Sequence, residues 1–69
     1  MGLKEARKKA GLSQSELGAM AGVSVRMIQY YEQGVNDINK AQAITLYRIA
    51  QVLGVRIEDL IDIQGDKKR

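Results

Sequence analysis

The chain has 69 residues, with 11 Lys or Arg against 8 Asp or Glu, for a formal net charge of +3. It contains no cysteine and no histidine. That excludes disulfides, zinc sites built on sulfur or imidazole, and Cys–His or Ser–His nucleophilic chemistry. This length supports one domain, near the size at which a hydrophobic core becomes marginal.

The charge itself is a weak pointer to nucleic acid. Residues Asp66–Arg69 alone carry +2, three bases against one acid, which leaves +1 for the body. Between Gln14 and Lys40, Arg26 and Lys40 stand against Glu16, Glu32 and Asp37, a balance of −1. A case for a nucleic-acid partner therefore rests on geometry. No stretch reaches the ~18 apolar residues of a membrane span, and the first residues are charged, without an apolar signal core. The expectation is a soluble, cytoplasmic protein with no membrane contact.

The first predicted helix covers about 3–10, with Leu3, Ala6, Arg7 and Ala10 on one face and Lys4, Glu5, Lys8 and Lys9 outward. Gly11 ends it and Leu12 turns into the core. The second covers 14–21. Ser13 and Glu16 form a capping box at its start, and Leu17 and Ala21 make its apolar stripe. Gly22 stops this helix, because glycine alone enters the left-handed region without steric penalty. Ser24 then caps a third helix, 25–33, which ends at Gly34. A glycine-bearing corner of about three residues between two short helices is the signature of a helix-turn-helix.

At about 100° per residue, Ile28, Tyr31 and Glu32 of the third helix face inward and Val25 lies on the margin. Arg26, Gln29, Tyr30 and Gln33 cluster on the opposite side, with Met27 between. A polar outer face is ordinarily a solvated one. This face, however, holds no Asp or Glu, and acids there would repel phosphate. Arginine bonds bidentately to guanine O6 and N7, and glutamine to adenine N6 and N7.

A polar loop, 34–40, leads into a fourth helix over 40–53, with Asn39 as its cap and Ala43, Leu46, Ile49, Ala50 and Leu53 as its buried stripe. Gly54 closes it and Val55 packs behind. A fifth helix, 56–62, brings in Leu60 together with Ile57 or Ile61. Ile57, Ile61 and Ile63 cannot all face inward, so an exposed pair beside Tyr47 makes a candidate dimer surface. The domain is expected to span 1–63. The basic segment 64–69 is expected to be a disordered tail, either a non-specific phosphate contact or a solvated terminus.

Gln14, Leu17, Gly18, Gly22-Val23-Ser24, Ile28 and Glu32-x-Gly34 together resemble the Cro/C1-type (XRE) helix-turn-helix family, similar to lambdoid phage repressor DNA-binding domains. The resemblance extends to GLSQ at 11–14 and IAxxLGV at 49–55, and so covers roughly 3–61. It implies an all-α, compact five-helix domain with the lambda-repressor-like fold. It also implies a buried pairing of Arg7 with Glu32, whose alternative is two separate solvated charges. The family keeps alanine where this chain has Gly18, because the next helix crosses closely. Its fifth helix starts on serine or threonine, where this chain has Arg56.

Carried onto this chain, the resemblance puts base contacts at Val25, Arg26 and Tyr30, with Gln29 as a further candidate and Tyr30 equally suited to a phosphate. Val25 and Met27 depart from the polar residues common at these places, so hydrogen-bonded readout leans on Arg26 and the operator is not transferable. Phosphate contacts are expected from Gln14, Ser24, Gln33, Asn36, Asn39 and Lys40, although the loop residues also suit an ordinary polar loop. In the family the glutamine at Gln14 also orients a neighbour on the third helix.

The leading expectation is a sequence-specific regulator, a repressor, that binds a pseudo-palindromic double-stranded operator as a homodimer formed in solution or only on DNA. The alternative is a protein-binding, antitoxin-like module on the same scaffold. No catalytic residue, metal site or cofactor is expected. None of the eight carboxylates forms an inward pair at helical spacing.

Overall fold

The computed structural model describes residues 2–61. Within them lie α1 (Leu3–Lys9), α2 (Gln14–Ala21), α3 (Val25–Gln33), a single 3-10 turn (Ile38–Lys40), α4 (Ala43–Leu53) and α5 (Ile57–Leu60). No strand occurs among the described residues, and the expected all-helical class with five α-helices holds.

The core draws on every helix. Leu17 of α2, Ile28 of α3 and Ile49 of α4 are each 0% exposed. Around them pack Leu3 and Ala6 of α1, Ala21, Ala50, Leu53, and Leu60 of α5. Side chains of this type, fully buried, each stabilise the fold by ~1.5–3 kcal/mol relative to exposure. Leu12, Val23, Tyr31, Val55 and Ile57 pack as a half-buried margin around this cluster.

Four local expectations are corrected. The first helix ends at Lys9, and Ala10 is its exposed C-cap rather than part of the buried stripe. The fourth helix does not start at 40 on an Asn39 cap. The Asp37 carboxylate instead accepts the Asn39 N–H at 2.9 Å and closes the 3-10 turn. Ala41 and Gln42 are then extended, and α4 starts at Ala43, which is exposed. The local side-chain bond two residues on outcompetes helix propagation there. The fifth helix spans only Ile57–Leu60, since Ile61 turns extended at ψ 160°. Its start has half a capping box: Asp59 accepts the Arg56 N–H at 3.1 Å, and arginine has no acceptor with which to return the bond.

The fourth correction concerns the expected apolar patch. Ile57 packs against the core and Ile61 is half-buried, so these two are not an exposed pair. Tyr47 is 52% exposed, and its apolar neighbour is Met20 of α2 at 61%. The two share a shallow groove with Arg48, Gln51 and Val52. Residues 62 and 63 and the tail 64–69 lie outside the described residues, as does the expected domain limit at 63.

Candidate nucleic-acid interface

The corner between α2 and α3 is fixed by three local devices. Ser13 Oγ accepts the Glu16 N–H at 3.0 Å while the Ser13 N–H donates to Glu16 Oε1 at 2.8 Å, which satisfies two orphan donors at the start of α2. At its end Gly22 takes φ +72°, and the Val23 N–H returns to Gly18 O at 2.9 Å. Ser24 Oγ then accepts the Met27 N–H at 3.1 Å and opens α3. Gly18 is where the chain folds back on itself. A Cβ there would lie 2.6 Å from the Val23 carbonyl oxygen and 3.4 Å from the Val25 nitrogen. The missing side chain lets the turn sit against α2.

With the corner fixed, α3 turns Ile28 fully inward and packs Tyr31 on the core. Arg26 and Gln33 are exposed, Gln29, Tyr30 and Met27 are half-buried, and Val25 is 39% exposed. The outward row Arg26, Gln29, Tyr30 and Gln33 carries no acid. The single acid of the helix, Glu32, has a side chain only 3% exposed.

Glu32 is held from two helices. Arg7 of α1 donates from Nε to Oε2 at 2.6 Å and from Nη2 to Oε1 at 3.1 Å. The remaining arm of Arg7 is not idle: Nη1 donates to the Leu12 carbonyl at 2.8 Å and ties the α1–α2 turn to the same guanidinium. Gln14 of α2 adds a bond from Nε2 to Glu32 Oε1 at 3.0 Å. Burial acts to raise the Glu32 pKa. The bonds from Arg7 and Gln14, with the charges of Arg7 and Lys4, outweigh it and hold the carboxyl below its usual range. The Arg7 pKa is raised, chiefly by the bond to Glu32. Among the described residues every buried side-chain nitrogen and oxygen has a partner.

The network reaches the surface. Gln14 Oε1 accepts from Gln29 Nε2 at 3.3 Å, so Arg7, Glu32, Gln14 and Gln29 form one chain from α1 through α2 to the outer face of α3. Gln14 is thus half-buried with both amide atoms engaged inside the protein. Ser24 is exposed, and its hydroxyl oxygen accepts the Met27 N–H. Asn36 is half-buried and its Nδ2 donates to Met27 Sδ at 3.6 Å, a weak bond that fixes the loop against α3. Asn39 and Lys40 are exposed on the 3-10 turn.

Two contributors to this arrangement escaped the sequence reading. Asp37, which shapes the loop, is signalled by the spacing Asp37-x-Asn39, a pattern that favours a side-chain turn over a helix cap. Met27, the sulfur partner of Asn36, has no signal in the sequence.

A capped α2, a glycine corner and an α3 whose outer face is polar and acid-free define a helix-turn-helix DNA-binding domain. A family model described as Helix-turn-helix matches residues 3–60. The chain belongs to this family, the Cro/C1-type (XRE) helix-turn-helix DNA-binding regulators. Comparison with curated proteins and with solved structures gave no match. Among the described residues no helix is long and apolar enough to cross a membrane, and no cluster of acidic side chains could hold a metal ion.

Proposed function

We propose that the protein is a sequence-specific transcriptional repressor that reads the major groove of double-stranded DNA with α3, as a two-fold dimer on a pseudo-palindromic operator. The observation that carries this reading is the sorting of charge on α3. Its only acid is turned inward onto Arg7 and Gln14, and the outward row offers Arg26, Gln29, Tyr30 and Gln33. Arg26, Gln29 and Tyr30 meet base edges in this reading, and Val25 packs on a thymine methyl. Gln14 through its main-chain N–H, Ser24, Gln33, Asn36, Asn39 and Lys40 follow the phosphates.

Dimerisation follows from the weakness of one half. A protomer brings few positive charges to the interface, so counterion release contributes little. Two protomers on one duplex gain through effective concentration, with half-sites ~34 Å apart. The working compartment is the cytoplasm, on the nucleoid.

A second reading, a protein-binding module of the antitoxin kind, is favoured by the exposed groove between Met20 and Tyr47. Selection of bound duplexes from a random pool, followed by titration of the winner at two salt concentrations, separates the two. A pseudo-palindrome with half-sites one turn apart, bound more tightly than random duplex at both salt concentrations, supports the repressor. An unenriched pool, with binding no tighter than to random duplex, sinks it and leaves the partner module.

A further inference from the structure

We propose that Glu32, which never reaches the surface, sets which bases Gln29 accepts, acting through Gln14. The inference rests on the DNA-reading role of α3 and adds the sense in which one of its amides is presented.

An ionised carboxylate only accepts, so Gln14 must direct its NH2 toward Glu32, as it does at 3.0 Å. A flipped amide would bring two oxygens together beside a buried negative charge. Once Nε2 of Gln14 is committed, Oε1 faces α3 and takes the N–H of Gln29 at 3.3 Å. The same logic repeats at Gln29: its NH2 must point inward, because its oxygen would otherwise oppose the Gln14 oxygen. The outer edge of Gln29 is therefore its carbonyl oxygen, with one remaining N–H beside it. Arg7 anchors the whole chain of bonds by fixing the carboxylate through two of its own.

An unconstrained glutamine turns either edge to a base. This one is held acceptor-first. In the major groove adenine N6 and cytosine N4 are donors, whereas guanine offers only O6 and N7 and thymine only O4, all acceptors. Gln29 thus favours adenine or cytosine at the position it faces, because against guanine or thymine its oxygen meets no donor and only its remaining N–H can bond. Adenine is the best fit, since the remaining N–H reaches N7. Glu32 and Gln14 are positioning residues for this contact, and Glu32 itself stays buried.

The test is duplex selection with the wild-type chain, Gln29→Ala, Gln14→Met and the double variant Arg7→Met/Glu32→Leu. The pair whose preference disappears in Gln29→Ala is the one that Gln29 faces. Wild type should prefer adenine or cytosine over guanine there by roughly five- to a hundred-fold, the range of one bidentate contact. In Gln14→Met, which removes the amide with little change of size, guanine should be accepted at that pair within about twofold. The preference at the pair faced by Arg26 should be unchanged. Arg7→Met/Glu32→Leu, which removes the acceptor together with its partner charge, should behave alike, and Gln14→Met decides the matter if that variant fails to fold. In the free protein, the two side-chain amide protons of Gln29 should differ in solvent exchange in wild type and converge in Gln14→Met.

Guanine enrichment at that pair in wild type overturns the inference. So does unchanged discrimination in Gln14→Met, or a loss of affinity spread evenly over all sequences, which would make Gln14 a phosphate contact. A Gln29→Ala variant that alters no pair overturns it as well. These outcomes leave the repressor reading standing, whereas a wild-type pool without any motif removes both.

Discussion

Arg7 and Glu32, 25 residues apart in the chain, meet in a two-point ion pair with Nε to Oε2 at 2.6 Å. The pair joins α1 to α3, and the side chains are only 10% and 3% exposed. Desolvation of two charges offsets much of their attraction, so such a pair specifies register more than it adds net stability.

That imbalance makes the first prediction. Glu32→Leu alone should cost ~3–5 kcal/mol by stranding the guanidinium, and Arg7→Met alone a similar amount by stranding the carboxylate. The double variant Arg7→Met/Glu32→Leu should cost less than either single change. Urea unfolding of the four proteins gives the cycle, and a double variant as unstable as the two singles combined would show that the pair is not coupled.

The pH response follows from the same carboxyl. Its folded pKa lies below the usual range, whereas the unfolded value is the ordinary ~4.3 of glutamate. The folded state thus favours the ionised form, and this contribution is complete above the unfolded pKa. It is lost as pH falls through the folded value. Melting temperature should therefore decline below about pH 4, and the difference between wild type and Glu32→Gln should shrink over that window. A difference that stays constant down to pH 2 would contradict the assigned shift.

Gly18 sets helix propensity against contact. Alanine in mid-helix gains ~1 kcal/mol over glycine. Its Cβ would stand 2.6 Å from a main-chain oxygen that belongs to the glycine corner and has little room to retreat. We expect Gly18→Ala to destabilise the domain and to loosen the Ser24 cap. Thermal melting reports the first effect and amide exchange at Met27 the second. A stabilised variant would mean that the corner yields more easily than its geometry indicates.

Arg26 and Lys40 separate reading from holding. Arg26→Ala should cost ~1–3 kcal/mol of binding and relax the preference at one base position. Lys40→Ala should weaken every duplex evenly and reduce the magnitude of the salt slope by about 1 per protomer. Titration of the selected operator and of one base-substituted duplex at two salt concentrations distinguishes them.

The helix-turn-helix was legible in the sequence because its signals are local. Ser13 with Glu16, Gly22, Ser24 and Gly34 each fix a helix end through bonds within a few residues, and Leu17 and Ile28 follow from helical period alone. The same local reasoning misplaced the start of α4. There two short-range options compete, and the side chain of Asp37 prevails over a cap at Asn39. Ala10 and Ala43 shared the apolar period of their helices yet lie exposed, because period names a face and not how far along the helix the core extends.

What the chain by itself determined was therefore the set of helices near the corner and the absence of acids on the outer face of α3. The family resemblance already implied the Arg7–Glu32 pair and a Gln14 that orients a neighbour on the third helix; only the folded structure makes that neighbour Gln29 and joins all four residues as one hydrogen-bonded chain. Bonds across 15, 18 and 25 residues depend on how three helices cross. No period or spacing encodes such crossings, which are set by the packing of Leu17, Ile28 and Ile49 in the shared core.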